Sequence, residues 1–107
     1  MEGDLSSTNR YPRPDVTADY VAPGTEIERI VADLWGSALN VEAVGVNDDF
    51  FELGGDSLLA LQMIPRIQDR FQIGLVPREL FEAATIAGVA RVIETKLIEE
   101  VEELEKA

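Results

Sequence analysis

Ser57 is the residue of this chain whose surroundings most suggest chemistry. It follows a glycine pair and Asp56 and precedes a run of leucines, in the stretch "FFELGGDSLLAL" at residues 50–61. Such a serine has three possible uses: a catalytic nucleophile, a point of covalent attachment for another group, or a helix N-cap.

The nucleophile hypothesis rests on the string GDSL at residues 55–58, which resembles the signature of the GDSL esterases. A serine hydroxyl needs a base to take its proton, and the usual base is histidine, which this chain lacks. Its two lysines, Lys96 and Lys106, lie in or near the charged tail. A G-x-S-x-G elbow also fails, because Leu59 stands where the last glycine belongs. We therefore predict no catalytic residue.

A metal site is the next chemistry to consider, because the segment "NDDFFELGGD" is rich in carboxylates. It does not match the calcium-loop pattern D-x-[DN]-x-[DN]-G-x₅-E. The chain has neither cysteine nor histidine, which excludes thiolate and imidazole ligands as well as disulfides. We predict no specific metal site.

Size and charge limit the possible partners. The chain has 107 residues, enough for one small domain, and a net charge of −12. That charge repels nucleic acid and anionic membranes. No apolar run reaches the ~18 residues of a membrane span, and the start "MEGDLSSTNRYPRPD" lacks the apolar core of a secretory signal. We expect no nucleic-acid or membrane partner, a cytoplasmic location and a monomeric domain.

The start of the first helix is indicated by its cap. Residues 1–22 carry prolines and small polar residues and predict an extended or disordered, flexible lead-in. Thr25 and Glu28 then form a capping-box pattern, and a helix is expected over residues 26–39. Trp35 is expected beside the apolar stripe of this helix. The stripe comprises Ile27, Ile30, Val31, Leu34 and Ala38.

Residues 40–56 form a long loop that is too apolar for a free linker. We expect its apolar side chains to cover the core; they are Val41, Val44, Val46, Phe50, Phe51 and Leu53. The loop also holds five carboxylates from residue 42 onwards and no basic residue: Glu42, Asp48, Asp49, Glu52 and Asp56. Two explanations stay open, namely solubility and a docking face for a basic partner.

The second helix is expected to begin at Asp56 or Ser57 and to reach Phe71, with Asp56 as its N-cap. One stripe is expected to face the core: Ala60, Met63, Ile64, Ile67 and Phe71. A second stripe is expected to be partly exposed: Leu58, Leu61 and Pro65, with Leu59 alongside. Proline inside a helix costs roughly 3 kcal/mol, so we expect a bend at Pro65 or an early break there.

Two more helices follow. Pro77 is expected to begin a short one, and Thr85 to cap the last one. The stripe of the last helix comprises Ile86, Val89, Ala90, Ile93 and Leu97. The end, "LIEEVEELEKA", is expected to be an acidic helical extension or linker. No alternating strand pattern is present, so the predicted class is all-α, with three main helices and a short extra one.

The attachment hypothesis explains more than the cap hypothesis does. A serine cap alone leaves the glycine pair, the second apolar stripe and the acidic loop without a purpose. The first turn of a helix offers free N–H groups and a positive dipole end, which favour a phosphate. Glycines would not obstruct an approaching enzyme, and an external transferase would remove the need for a base on this chain.

The stretch "DDFFELGGDSLLALQMI" closely resembles the core motif of phosphopantetheine-dependent carrier proteins, especially the peptidyl carrier (thiolation) domains of non-ribosomal peptide synthetases. Similar motifs occur in acyl carrier domains of hybrid polyketide synthases. The resemblance covers about residues 20–97, from "YVAPGTEIE" to "LFEAATIAGVA". It implies a four-helix bundle with a short third helix, and a carrier domain over residues 23–97 between the lead-in and the extension at 98–107.

The resemblance also implies a function. Ser57 would carry 4′-phosphopantetheine, attached by a phosphopantetheinyl transferase that uses coenzyme A, and the thiol of this arm would hold an aminoacyl, peptidyl or acyl group as a thioester. Gly55 and Asp56 would shape and cap the turn. Leu58, Leu61 and Pro65 would contact partners, namely the transferase and neighbouring adenylation, condensation, ketosynthase or thioesterase domains. The domain itself would catalyse nothing.

Two features depart from the family pattern. The usual second helix has no proline at the position of Pro65, and the lead-in "NRYPRPDVTADYVAP" lacks the lysine-bearing segment that ordinarily follows an adenylation domain. The preceding domain could therefore be of polyketide type, and the cargo acyl rather than aminoacyl. The alternative to the carrier hypothesis is a non-enzymatic helical adaptor.

Overall fold

The computed structural model describes residues 11–106, which contain four α-helices. These are α1 (Glu26–Leu39), α2 (Ser57–Phe71), α3 (Pro77–Ala83) and α4 (Ile86–Lys106). Within the same residues, strand-type pairing amounts to two isolated bridges, Tyr11 with Val41 and Asp49 with Thr85. The predicted all-α class with a short third helix is confirmed, as are the predicted bounds of the first two helices.

The helices begin where their capping residues stand. At α1 the Glu28 N–H donates to Thr25 Oγ1 at 3.1 Å, and the Thr25 N–H donates to the Glu28 carboxylate at 3.2 Å. At α4 the Gly88 N–H donates to Thr85 Oγ1 at 3.0 Å. Each of these bonds satisfies a donor that a helix end leaves free, so local chemistry fixes where the helices start.

The four helices close a ring around one core. α1 packs against α2 and α4, and α3 packs against the same two helices. Trp35 is fully buried at the centre of this core, not beside the α1 stripe as expected. The reason is that Val31 and Trp35, four residues apart, define the inward face, whereas Ile30 and Leu34 lie at its edge.

The loop between α1 and α2 covers one end of the bundle. Five of its six apolar side chains are buried, as predicted, and the exception is Phe51, which is 40% exposed. The loop is attached to the other helices through its backbone: the Phe50 N–H donates to Ala84 O at 2.8 Å and the Ala87 N–H donates to Val46 O at 2.9 Å. It is therefore an ordered part of the domain, at the α4 end where Ile86 begins.

The described part of the lead-in, residues 11–22, contains no helix and lies along this loop. The Tyr11 N–H donates to Asn40 O and the Glu42 N–H to Tyr11 O, both at 2.8 Å. Further on, the Val46 N–H donates to Val21 O at 2.9 Å. Residues 1–10 of the predicted flexible lead-in, and Ala107 of the acidic extension, lie outside the described residues.

Of the two outcomes expected at Pro65, a bend or an early break, the early break does not occur, because α2 continues as one helix to Phe71. Pro65 is exposed, whereas the residues before and after it that face the core are buried: Ala60, Met63, Ile64 and Ile67. Burial of that face stabilises the helix on both sides of the proline by an amount that exceeds the cost of one lost hydrogen bond.

The acidic end of the chain is helical throughout its described part, because α4 runs to Lys106. From Ile98 to Lys106 every residue is exposed, so this part of the helix projects beyond the bundle. None of the described helices combines the length and hydropathy needed to cross a membrane.

Candidate functional site

Ser57 is the first residue of α2, and its side chain is exposed. Asp56 is the N-cap, as predicted: its carboxylate accepts the Leu59 N–H at 2.8 Å, and its carbonyl accepts the Ala60 N–H at 2.9 Å. Early N–H groups of a helix have no acceptor within the helix. The N–H groups of Ser57 and Leu58 are therefore left for water or a ligand, next to the serine hydroxyl.

The two glycines before Asp56 serve different purposes. Gly54 has φ = 109°, a backbone conformation that residues with a side chain rarely adopt, and the space where its Cβ would stand is open. Gly55 has no such torsion, but a Cβ there would overlap the ring of Phe50. One glycine allows the turn, and the other allows the turn to lie directly on an aromatic ring.

Phe50 connects the turn to the core. Its ring stacks edge-on against Trp35 with centroids 5.0 Å apart, and its carbonyl accepts the Gly55 N–H at 3.0 Å. The Trp35 indole N–H is buried without a hydrogen-bond partner among the described residues. Burying that donor costs free energy, so the position of Trp35 is set by packing. The turn that precedes Ser57 therefore packs on Phe50, and Phe50 packs on Trp35 in the core.

Most carboxylates of the acidic loop are used within the domain. Asp48 is fully buried and accepts both Arg13 Nε at 2.6 Å and Arg13 Nη2 at 2.7 Å, together with the Gly45 N–H at 2.9 Å. Asp49 accepts two loop N–H groups, Glu52 accepts from Thr17, and Asp56 caps α2. These contacts give the negative loop a structural purpose that neither sequence explanation had named.

The charge of Asp48 is kept by its partners. Burial by itself raises the pKa of this carboxyl, but the hydrogen bond from Arg13, the Gly45 N–H and the Arg13 charge together hold the pKa below its ordinary value. The hydrogen bond to Asp48 correspondingly raises the pKa of Arg13. The pair joins the lead-in to the loop as an ion pair at neutral pH.

The predicted second stripe of α2 is exposed. Leu58 is 66% and Leu61 is 44% exposed, and Pro65 is also exposed. Two phenylalanines that the sequence analysis did not assign to a surface, Phe51 and Phe81, are also exposed and lie with ring centroids 6.3 Å apart. Apolar side chains left in water on a helix that carries the site indicate a contact surface.

The site offers a hydroxyl without a base of its own. The chain has no histidine, and Lys96 is paired with Glu79 at 3.0 Å, between α4 and α3. No group of carboxylates suited to a metal ion occurs in residues 11–106. The described residues around Ser57 therefore supply a hydroxyl but no histidine or lysine base to activate it.

The sequence alone did not reveal three contributors to this site. Arg13 was assigned to a flexible segment, Phe50 was one apolar residue among six, and Trp35 was placed at the edge of a stripe. The glycine pair was the available signal, since two adjacent glycines before a helix suggest a close approach by another group. It did not reveal that the approaching group is Phe50.

Comparison with known proteins agrees with this geometry. The family model described as "Phosphopantetheine attachment site" matches residues 29–93. Tyrocidine synthase 2 of Brevibacillus parabrevis is 45% identical over 82 residues, which is 77% of this chain but 2% of that protein. The chain therefore spans a very small part of the length of this curated relative.

Two solved structures resemble this chain over nearly their whole length. A docking-domain complex of the Pax synthetase (PaxA T1-CDD with PaxB NDD) has a TM-score of 0.73 at 33% identity, covering 86% of this chain and 93% of that one. A peptidyl carrier protein, in a complex of the phosphopantetheine transferase Sfp with coenzyme A, has a TM-score of 0.69 at 33% identity, covering 71% of this chain and 99% of that one. The chain belongs to the phosphopantetheine-binding carriers, as a peptidyl carrier domain of the kind found in non-ribosomal peptide synthetases.

Proposed function

We propose that Ser57 is the attachment residue, which holds 4′-phosphopantetheine through a phosphodiester. The observation that carries the proposal is the exposed hydroxyl at the first turn of α2, beside the free N–H groups of Ser57 and Leu58. When attached, the group supplies the thiol that this cysteine-free chain lacks, and that thiol carries the cargo as a thioester.

The residues at this end of α2 fit a phosphodiester. Two free N–H groups and the positive end of the helix dipole favour its negative charge. A Cβ on Gly54 would have no atom within 4 Å, so the surface on that side of the serine is open to an attached arm. The Asp56 carboxylate accepts the Leu59 N–H, which leaves the N–H groups of Ser57 and Leu58 for the phosphodiester.

Each further site residue has a supporting role in the proposal. Asp56 caps the helix, and Gly55 lets the turn lie on Phe50, so that the hydroxyl is held at a fixed place. Leu58 and Leu61, with Pro65 beyond them, form an apolar surface beside the hydroxyl for the proteins that act on it. Such exposed apolar side chains are the anchors that protein interfaces use.

The partners follow from the attachment chemistry. A phosphopantetheinyl transferase transfers the arm from coenzyme A to the hydroxyl, as the Sfp complex suggests for its own carrier. The larger synthase to which the chain would belong, and its adenylation, condensation, ketosynthase or thioesterase domains, are part of the proposal. So is a cytoplasmic location, because the transferase needs coenzyme A from the cell interior.

The test uses purified chain, magnesium, coenzyme A and a broad-specificity transferase, with intact mass as the readout. We expect wild type to gain one phosphopantetheine. Ser57→Ala should gain none, and Ser37→Ala, which removes another exposed serine, should behave as wild type. Modification of a folded Ser57→Ala protein would refute the assignment, and so would a folded wild type that stays unmodified while a known carrier in the same tube is converted.

A further inference from the structure

Residues 11–22, here called the strap, lie along the loop between α1 and α2. The strap pairs with the loop through its backbone near both ends, and two of its side chains bind loop carboxylates in between. The contacts join Tyr11 to Asn40 and Glu42, Arg13 to Asp48, Thr17 to Glu52, and Val21 to Val46. The strap therefore reaches from the end of α1 to Glu52, which lies two residues before Gly54.

The strap contributes little to the core. Each of residues 11–22 is exposed or half-buried, and Val16 is a half-buried one that packs against the core. In α1, by contrast, Val31 and Trp35 are fully buried. Segments with few buried apolar contacts open at a lower free energy than the helices of a core. Polar contacts consequently hold the strap in place, and their loss removes no fully buried apolar side chain from the core.

Arg13 is the main fastener of the strap. It is the only basic residue in the sequence from 11 to 24, whereas Asp15 and Asp19 add negative charge to the strap. Its guanidinium donates to both Asp48 oxygens, at 2.6 and 2.7 Å, and to the Ala18 carbonyl at 2.7 Å. Without Arg13, a strap that carries two aspartates would face an acidic loop and be repelled by it.

Both charges of this ion pair would return to water if the strap opened. Asp48 is fully buried, and the groups beside it include Arg13 and the ring of Tyr20, over which the guanidinium lies at 5.3 Å. A Cβ on Gly45 would meet that ring at 3.1 Å and the Asp48 carboxylate at 3.2 Å, so the ring borders the carboxylate. A charge is costly when its partner leaves and it stays buried. Because Arg13 and Tyr20 both belong to the strap, opening would uncover Asp48 and avoid that cost.

An open strap would change how the chain before residue 11 is joined to the bundle. In the closed state Tyr11 is held at the end of α1, at Asn40. In the open state residues 11–24 would form a free linker of fourteen residues that ends at Thr25, the N-cap of α1. Such a linker spans about 20 Å on average as a flexible coil, and at most about 50 Å when fully extended. The hydrogen bonds of the strap reach no further along the loop than Glu52, so Ser57 stays exposed in both states.

We propose that the strap opens and closes reversibly while the four helices stay folded, with Arg13 on Asp48 and Thr17 on Glu52 as its fasteners. Closed, it holds the preceding chain against the loop. Open, it lengthens the tether between that chain and the bundle that bears Ser57. Under the proposed function, the two tether lengths let one carrier reach partners at different distances. That use rests on the proposed function, whereas the two states of the strap do not.

Amide hydrogen exchange on the intact chain, followed by NMR, tests for opening without unfolding. The N–H groups of Glu42 and Val46 donate to strap carbonyls and report on the strap, and those of Ile67 and Ile93, within α2 and α4, report on the bundle. We expect the strap reporters to be protected, yet to exchange at least about tenfold faster than the bundle reporters. Equal exchange of the two groups would overturn the proposal, because the strap would then open only when the bundle unfolds. Strap reporters without protection would overturn it too.

A distance measurement tests the fasteners. The chain has no cysteine, so Pro12→Cys with Ser37→Cys, both at exposed positions, places two spin labels, one on the strap and one near the end of α1. In this labelled protein, pulsed electron paramagnetic resonance should show a main short distance from the closed strap. Adding Arg13→Ala should shift most molecules to a longer, broader distribution while the helical circular dichroism is retained. Adding Arg91→Ala, which removes the same charge from an exposed position on α4, should leave the short distance dominant.

The outcome decides the proposal without reference to the arm, because neither readout requires modification of Ser57. A short distance that persists in a folded Arg13→Ala protein would overturn the proposal, and so would an equal shift in Arg91→Ala. If Arg13→Ala loses its helices, Thr17→Val takes its place, because it removes only the exposed hydroxyl bond to Glu52. It should raise the ratio of open to closed molecules about two- to tenfold, and an unchanged ratio would overturn the proposal.

Discussion

The ring of Phe50 occupies the space in which a side chain on Gly55 would stand. Through this contact the loop links the packing of Trp35 and the core to the turn that presents Ser57. Ser57, the proposed attachment residue, is therefore exposed, while the turn that precedes it packs on the core. Under the proposed function, an enzyme that modifies Ser57 benefits from a hydroxyl held in a packed turn.

Gly55→Ala should therefore damage both stability and modification. The new methyl group displaces Phe50 from Trp35, and we expect a loss of about 1–3 kcal/mol in the free energy of unfolding, as for other overpacked sites. Transfer of phosphopantetheine to the folded fraction should slow. Gly74→Ala is the matched control, because a Cβ on Gly74 would have nothing within 4 Å and the φ of Gly74 is not in the positive range. The free energy of unfolding of this variant should differ from that of wild type by no more than about 0.5 kcal/mol. Urea denaturation measures both, and equal stabilities would contradict the packing argument.

Arg13→Ala should produce a pH-dependent loss of stability. In the wild type the pKa of Asp48 is held below its unfolded value, so the stability from this pair is present at neutral pH and is lost as pH falls through the acid range. Without Arg13 the buried carboxyl loses its largest favourable partner, and burial favours its protonated form. The difference in melting temperature between wild type and variant should be largest near pH 7 and shrink toward pH 3.

Arg13→Lys serves as the control for this prediction, because it keeps the charge but not the two-point hydrogen bonding. It should retain part of the stability and keep the pH dependence of the wild type. A difference between wild type and Arg13→Ala that stays constant from pH 7 to pH 3 would show that Arg13 contributes by packing alone.

Pro65→Ala should stabilise the domain. Pro65 is exposed and has no N–H to donate to the Leu61 carbonyl, so alanine restores a helix hydrogen bond without disturbing the core. We expect a gain of about 1 kcal/mol or more in the free energy of unfolding, measured by thermal denaturation. A loss of stability would indicate that the proline ring makes a contact that the helix depends on.

Leu61→Asp should weaken recognition without weakening the fold. Leu61 is 44% exposed on the surface beside Ser57, so we expect an unchanged melting temperature and a rise of about tenfold in the transferase KM. Leu104→Asp makes the same chemical change at the far end of α4 and should leave the transferase KM unchanged. Parallel behaviour of the two variants would mean that the α2 surface has no special part in recognition.

Much of the fold could be predicted because its information is local. Each helix starts at a local signal within four residues of its first turn: Thr25 with Glu28, Asp56, Pro77 or Thr85. The apolar periodicity between these signals predicts which face of each helix is buried. The position and exposure of Ser57 follow from the same local rules. This is why the bounds of α1 and α2 agreed with expectation.

The remainder depends on contacts that are distant along the chain. Arg13 and Asp48 are 35 residues apart, and no local pattern links them. Periodicity assigned Trp35 to the correct helix but did not predict its full burial, because burial depends on which helices pack against that face. At Pro65 the local rule left a bend or an early break as alternatives, and burial of the opposite face of α2 keeps the helix continuous.

The central claim is that Ser57 carries the arm, and peptide mapping of the transferase product tests it most directly. Cleavage after glutamate releases the fragment Leu53–Glu79, in which Ser57 is the only hydroxyl side chain, whereas Ser37 falls in the fragment Arg29–Glu42. We predict that the added phosphopantetheine mass appears on Leu53–Glu79 and nowhere else. The same mass on Arg29–Glu42, or on a fragment from the lead-in, would contradict the account.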